Sequence, residues 1–212
     1  VMYDKVMIES EPAIAATLFG DRIGTAREFT TQLGQRGEEL GLIGPLELPR
    51  LWSRHVLNSV LVAPLLRPGL VGDIGSGAGL PGLVLAIARP DVRFVLIEPM
   101  ERRVAWLEEQ VAHLELGNVE VRRARAEDVL QDYALDQVTA RAVSAFAKLI
   151  PMTAPLVKTG GELVLMKGAN AEREVEAAAK MIRRHHLEDV EVLTLGEGQV
   201  EEVTRVIRAR VA

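Results

Sequence analysis

The sequence contains no cysteine. That excludes disulfides, cysteine nucleophiles and thiolate metal sites, and it fits a reducing, cytoplasmic compartment. Its four histidines are scattered, so no zinc cluster is expected. Aromatic residues make up only 4% of the chain, and a core must be built from Leu, Val, Ala and Ile. Long hydrophobic runs are missing. Each is broken within a few residues by charge, glycine or proline, short of the roughly 20 residues that span a bilayer, so no membrane association is expected. The opening Val1-Met2-Tyr3-Asp4-Lys5 lacks the pattern of a cleavable leader. A basic excess is lacking too. The net charge is −5, whereas nonspecific nucleic-acid binders present a basic face; any such face here has to be local.

What is present is enough for a sizeable core. With 212 residues, 48% of them hydrophobic, one main domain with an extension is the natural expectation. Residues 10–20 and 22–42 read as helices, the second weakened by Gly34, Gly37 and Gly41 and ending near Gly41 or Gly44. Leu51 to Val60 reads as another. Residues 1–68 are therefore expected to form a helical extension, and residues 69–212 the main domain.

From Val71 the texture changes to strand–helix alternation. Strands are expected at 71–74, 92–98, from 119, at 137–140, 162–166, 190–195 and 203–210. Helices are expected at 82–88, 100–115, 144–156 and 171–184. The helix over 100–115 carries Met100, Val104, Leu107, Val111 and Leu114 at three- and four-residue steps. This is the pattern of a Rossmann-like α/β fold: a seven-stranded, mostly parallel sheet with helices on both faces and an antiparallel hairpin at one edge.

The chemistry is concentrated in Asp73-Ile74-Gly75-Ser76-Gly77-Ala78-Gly79-Leu80-Pro81-Gly82, which leaves a strand and opens a helix. Ligands of open α/β sheets bind beyond the carboxyl ends of the strands, beside such a turn, and glycines let the backbone approach them. The dinucleotide fingerprint places glycines at relative positions one, three and six. Here they fall at one, three and five, with Leu80 in the sixth place, which disfavours NAD. Asp73 suits a cationic amino group better than a pyrophosphate. Glu98, closing the next strand, can accept hydrogen bonds from both ribose hydroxyls of an adenosine ligand. The pair around this turn resembles the motif of class I S-adenosylmethionine-dependent methyltransferases, with S-adenosylhomocysteine as product.

Further stretches narrow the resemblance. Arg54-His55-x-x-Asn58-Ser59, the Gly79-Leu80-Pro81-Gly82 continuation, Arg141-Ala142, and Leu165-Met166-Lys167-Gly168 occur in an order similar to that of the ribosomal RNA small subunit methyltransferase G family. The likeness covers roughly residues 25–210. It implies methyl transfer to N7 of a guanine in the 530 loop of 16S ribosomal RNA, within the 30S subunit or an assembly intermediate, by a cytoplasmic monomer. It also implies that Asp73, Gly75, Ser76, Gly77, Gly79, Leu80 and Glu98 hold the cofactor, with Ala126 and Glu127 at the adenine and Arg141 alongside. Arg54, His55, Asn58, Arg123 and Lys167 are then the substrate-side candidates, and Arg141 and His55 the candidate catalytic pair. Two positions depart from the family: Asn58 stands where Asp is frequent, and Gly41-Leu42-Ile43-Gly44 replaces a more polar stretch.

Guanine N7 carries a lone pair and no proton, so its methylation needs no general base. Orientation and a fitted electrostatic environment suffice. Because the base becomes cationic, Arg141 and Lys167 are better placed on phosphates or the O6 edge than against N7. Other readings stay open at several residues. His55, taken alone, reads as a surface or packing residue. Phe146 is either a stacking platform or core. Arg122, Arg123 and Arg125 either contact phosphates or border the sheet, and His185-His186 reads as a solvated helix end. The competing functions are a methyltransferase acting on a small molecule or protein, a non-catalytic RNA-binding assembly factor, and an NAD-dependent oxidoreductase.

Overall fold

The computed structural model describes residues 7–141 and 144–212. The opening pentapeptide and Ala142 lie outside the described residues. The chain begins with helices α1 (Ile14–Phe19) and α2 (Ile23–Arg36), a 3-10 stretch (Pro45–Arg50), and a π-helical turn (Leu51–Val56) running into α3 (Leu57–Val60). Helix α2 stops at Arg36, short of the expected Gly41. At Gly37 a side chain would meet the Leu33 carbonyl and Ile43, and the chain turns back, with the amides of Leu42 and Ile43 donating to the Gly37 carbonyl.

Seven strands follow: β1 (Leu70–Ile74), β2 (Arg93–Glu98), β3 (Val119–Arg123), β4 (Leu135–Arg141), β5 (Val157–Lys167), β6 (Leu187–Leu195) and β7 (Thr204–Val211). They are interleaved with α4 (Gly82–Ala88), α5 (Glu101–His113), α6 (Phe146–Thr153), α7 (Ala171–Ala177) and α8 (Ala179–Arg184). The sheet order is β3-β2-β1-β4-β5-β7-β6. Its first five strands are parallel, and β7 enters antiparallel between β5 and β6. This is the seven-stranded, mostly parallel Rossmann-like sheet expected from the strand–helix alternation, and it agrees with the class I methyltransferase fold that the resemblance at the glycine-rich turn implies. The order reverses between β1 and β4, so the crevice of the sheet opens there, next to the glycine-rich turn.

Each face of the sheet carries its own core. One is built from Leu135, Val138, Leu163, Leu165, Ile207 and the helices α6–α8. The other joins β1 and β2 to α4, α5 and the N-terminal helices. Helix α4 is buried from Gly82 through Ile87, as befits a helix apolar all round, because the extension covers the side that the sheet does not. Arg22 fastens that cover by donating to the Ile87 carbonyl. The expected single helix over 171–184 is two, broken at Ala178, which is buried and stands at the non-helical joint of both. Met100, read as part of the α5 apolar face, is instead its exposed flanking residue.

Candidate active site

The glycine-rich turn lies between β1 and α4 and is held from three sides. From beneath, Asp73 is fully buried. Its Oδ2 accepts from the Gly82 amide at 3.0 Å and its Oδ1 from the Thr139 hydroxyl at 3.3 Å. A side chain at Gly82 would strike Asp73 Oδ2 and Leu96, so glycine is what lets the carboxyl reach the helix N-terminus. Burial pushes the Asp73 pKa up to about 7, against the lowering effect of its hydrogen bonds and of Arg141. The sequence placed Asp73 against a ligand's amino group. The fold turns it inward, where it shapes the turn.

From the side, Glu98 at the end of β2 accepts from the Gly77 amide at 2.9 Å and the Met100 amide at 3.0 Å, one through each oxygen. A carboxylate offers about four lone-pair sites, so acceptor capacity remains for ribose hydroxyls. From behind, Trp106 of α5 donates its indole N–H to the Ala78 carbonyl at 3.0 Å. The Arg36 guanidinium, 5.4 Å above the Trp106 ring and paired with Glu109, ties that anchor to the N-terminal extension.

The open face of the turn is made by Gly75 and Gly77. At Gly75, φ is +67° and a Cβ would project into empty space. That space is what a cofactor with its own polar groups requires. Ser76 is buried and donates to the Asp73 carbonyl at 3.1 Å, while Leu80 packs in the core. Both support the turn from within. Ala126, buried, and Glu127, exposed, sit on a 3-10 turn just past β3, one strand beyond Glu98.

Across the crevice a cavity of about 400 Å³ opens at the ends of β4, β5 and β7. Arg54, His55, Asn58, Arg141 and Lys167 all line it, although the chain carries them on three separate segments. His55 is its pivot. Arginine has only donors, so the 2.7 Å contact of Arg141 Nη1 with His55 Nδ1 makes Nδ1 the acceptor. The proton then sits on Nε2, which donates to Glu47 at 2.6 Å. Burial, reinforced by the charge of Arg141, holds the His55 pKa below its ordinary value despite Glu47, which agrees with a neutral ring. Burial alone would raise the pKa of Glu47, but hydrogen bonds from His55 and Arg50 outweigh it and the pKa is lowered. Arg54 and His55 stand on the π-helical turn, a distortion that recurs at functional sites.

Not every expected residue faces the cavity freely. The Lys167 side chain is only 3% exposed and pairs with Glu174 at 2.7 Å, also donating to the Ser144 carbonyl. Glu174 in turn accepts from the Phe146 amide at the start of α6. Lys167 thus braces Ser144 and, through Glu174, the start of α6. Arg123 ends β3, pairs with Glu101 and lies outside the cavity lining. Three strand spacings separate β3 from β4, about 14 Å. Phe146 is fully buried and is core, and His185 follows the last residue of α8. Asn58 Oδ1 is buried without a hydrogen-bond partner among the described residues.

Sequence reasoning missed Glu47, Trp106, Glu174 and Arg205. Glu47 lies in a proline-flanked stretch without periodicity, and Glu174 in a helix where acids are ordinary. Arg205 had a faint signal, the partial alternation of β7. It sits directly opposite Lys167 in the sheet, a like-charge pairing that Glu174 relieves.

A family model described as rRNA small subunit methyltransferase G matches residues 22–203. The ribosomal RNA small subunit methyltransferase G of Clavibacter michiganensis subsp. michiganensis (strain NCPPB 382) is 84% identical over 211 residues, covering 100% of both chains. That of Corynebacterium glutamicum (strain R) is 45% identical over 203 residues, 94% of this chain and 91% of the relative. Among solved structures, M. jannaschii TYW2 in complex with AdoMet superposes with a TM-score of 0.59 at 18% identity, covering 76% of this chain and 78% of that one. The tRNA (m1A58) methyltransferase TrmI from Aquifex aeolicus gives 0.56 at 13% identity, with 73% and 68% covered. These two likenesses speak for the fold alone. Taken with the family match and the near-complete coverage of its relatives, the chain belongs to the rRNA small subunit methyltransferase G family.

Proposed function

We propose that the cavity walled by Arg54, His55 and Arg141 holds the target nucleotide of 16S ribosomal RNA while the glycine-rich turn holds S-adenosylmethionine beside it. The enzyme is an S-adenosylmethionine-dependent methyltransferase, and the reaction of its family is methylation of a 530-loop guanine at N7. The cofactor supplies an electrophilic methyl group. Gly75 and Gly77 would admit its methionine end, Glu98 the ribose, and Ala126 and Glu127 the adenine. The observation that carries the reading is that Arg54, His55, Arg141 and Lys167, drawn from the extension, β4 and β5, line one cavity at the carboxyl ends of the strands.

Of the extension expected over 1–68, the described residues 7–68 then contribute one wall as a helical extension, and the region from 69 to 212 acts as the methyltransferase domain. His55 and Arg141 orient the base and its neighbouring phosphate rather than move protons, since N7 has none to lose. Arg205 offers a cation that has no carboxylate partner among the described residues, while Arg54 is shared between Glu47 and Glu202. No described helix is long and apolar enough to cross a membrane. We take the enzyme to act as a cytoplasmic monomer on the 30S subunit or an assembly intermediate.

The test is to incubate the protein and methyl-labelled cofactor with unmethylated 30S subunits, naked 16S RNA, and protein extract, and to map any modified base. Label at one guanine N7 of the RNA is expected. Label in protein or in a small molecule, with none in RNA, would defeat the proposal.

A further inference from the structure

Two carboxylates lie among the cations of the cavity, Glu47 and Glu202. They differ in how they are held. Among the described residues Glu202 reaches only Arg54, at 3.7 Å, from a side chain that is 42% exposed. Glu47 is anchored by the 2.6 Å bond from His55, with Arg54 at 3.6 Å from the same oxygen, while its other oxygen has only a long 3.4 Å contact with Arg50. A neutral histidine supplies one hydrogen bond and no charge, so Glu47 keeps free acceptor sites. A carboxylate placed where an anionic RNA must enter opposes backbone binding, and this calls for a compensating role.

We infer that Glu47 reads the Watson–Crick edge of the target guanine, accepting hydrogen bonds from N1–H and the 2-amino group. This rests on the proposal that the cavity holds the base. Guanine alone among the four RNA bases presents two adjacent donors that match the two oxygens of a carboxylate. Adenine and cytosine turn a ring-nitrogen lone pair toward it, and uracil offers one donor flanked by carbonyls. A site built to receive donors rejects bases lacking them, because acceptors that the bound base covers would go unpaired.

The same contact favours the reaction itself. As the N7–CH3 bond forms and the S–CH3 bond breaks, the sulfonium charge passes to the base and no proton is released. The imidazolium withdraws electrons from the pyrimidine ring and makes N1–H a stronger donor. Its interaction with a fixed negative charge therefore strengthens toward the transition state, which raises kcat rather than affinity alone. The hydrogen bond from His55 holds the carboxylate so that it need not reorganise.

The test couples protein and substrate changes. Wild type and Glu47→Gln, as full chains, are assayed on 30S subunits reconstituted with guanosine or with inosine, which lacks the 2-amino group, at the target position. The expected result is a fall of roughly ten- to a hundred-fold for Glu47→Gln on guanosine, mainly in kcat. Inosine should lower wild type comparably and Glu47→Gln by less than about two-fold further. Effects that simply multiply would overturn the inference. So would inosine acting like guanosine on wild type, a result that does not depend on the variant folding. Tighter RNA binding by Glu47→Gln with unchanged kcat would reduce Glu47 to a mere repellent of phosphate, and also overturns it. Arg141→Ala is measured alongside. If that variant keeps full activity, the cavity is not the base site and the underlying reading falls too. If it loses activity while the Glu47 and inosine effects multiply, only this inference falls.

Discussion

Replacing Asp73 by Asn should change how the stability of the fold depends on pH. Asp73 is buried under the glycine-rich turn, and desolvation lifts its pKa from 3.8 to about 7. A group whose folded pKa is raised contributes stability that is fully present below the unfolded pKa and lost as pH rises through the folded one. The window here is therefore pH 4 to 8. At about 1.4 kcal/mol per pH unit, the displacement corresponds to about 4 kcal/mol. Asn keeps one acceptor for the Gly82 amide and never ionises. Urea unfolding of wild type and Asp73→Asn at pH 4, 6 and 8 isolates the effect, because every other group titrates alike in both proteins. The stability of wild type minus that of the variant should fall by about 4 kcal/mol across the window. With an m-value of about 2 kcal/mol/M, that is a relative midpoint shift of about 2 M. A difference that stays flat or grows with pH would refute the reasoning, since it would mean the carboxyl is ionised and stabilised where it lies.

Trp106→Phe leaves the buried Ala78 carbonyl without its donor, which should cost about 1–3 kcal/mol and weaken S-adenosylmethionine binding several-fold by calorimetry. Wild-type affinity in the variant would show that the turn does not need this anchor. Glu174→Gln strands the buried Lys167 ammonium and should destabilise by roughly 3 kcal/mol, more than Lys167→Met, which removes the buried charge and leaves a partly exposed Glu174 that still accepts from the Phe146 amide. Thermal melts in which Lys167→Met is the worse of the two would contradict that order.

The alternation of strands and helices was legible because it depends on local spacing. Strands β1 and β2 and helix α4 fall within a residue of where apolar runs and glycines put them. The three- and four-residue periodicity predicts α5, whereas nothing in the alanine-rich sequence marks the break at Ala178 between α7 and α8. Arg54 and His55 were identified through resemblance. Their own residue types carried no signal that would separate them from surface cations.

The sequence by itself determined most of the strands and helices, the glycine-rich turn, and the acid that closes β2. Each follows from backbone propensity and residues close together in the chain. Only the tertiary structure decided which groups meet. The bond from Arg141 to His55 joins residues 86 apart in sequence, and the one from Trp106 to Ala78 residues 28 apart. Strand order set those encounters by carrying β4 to the side of β1 and leaving Arg123 on the far edge. The same packing turned Asp73 and Lys167 inward. A charged side chain reveals its type in the sequence, but its partner and its solvation are properties of the folded neighbourhood.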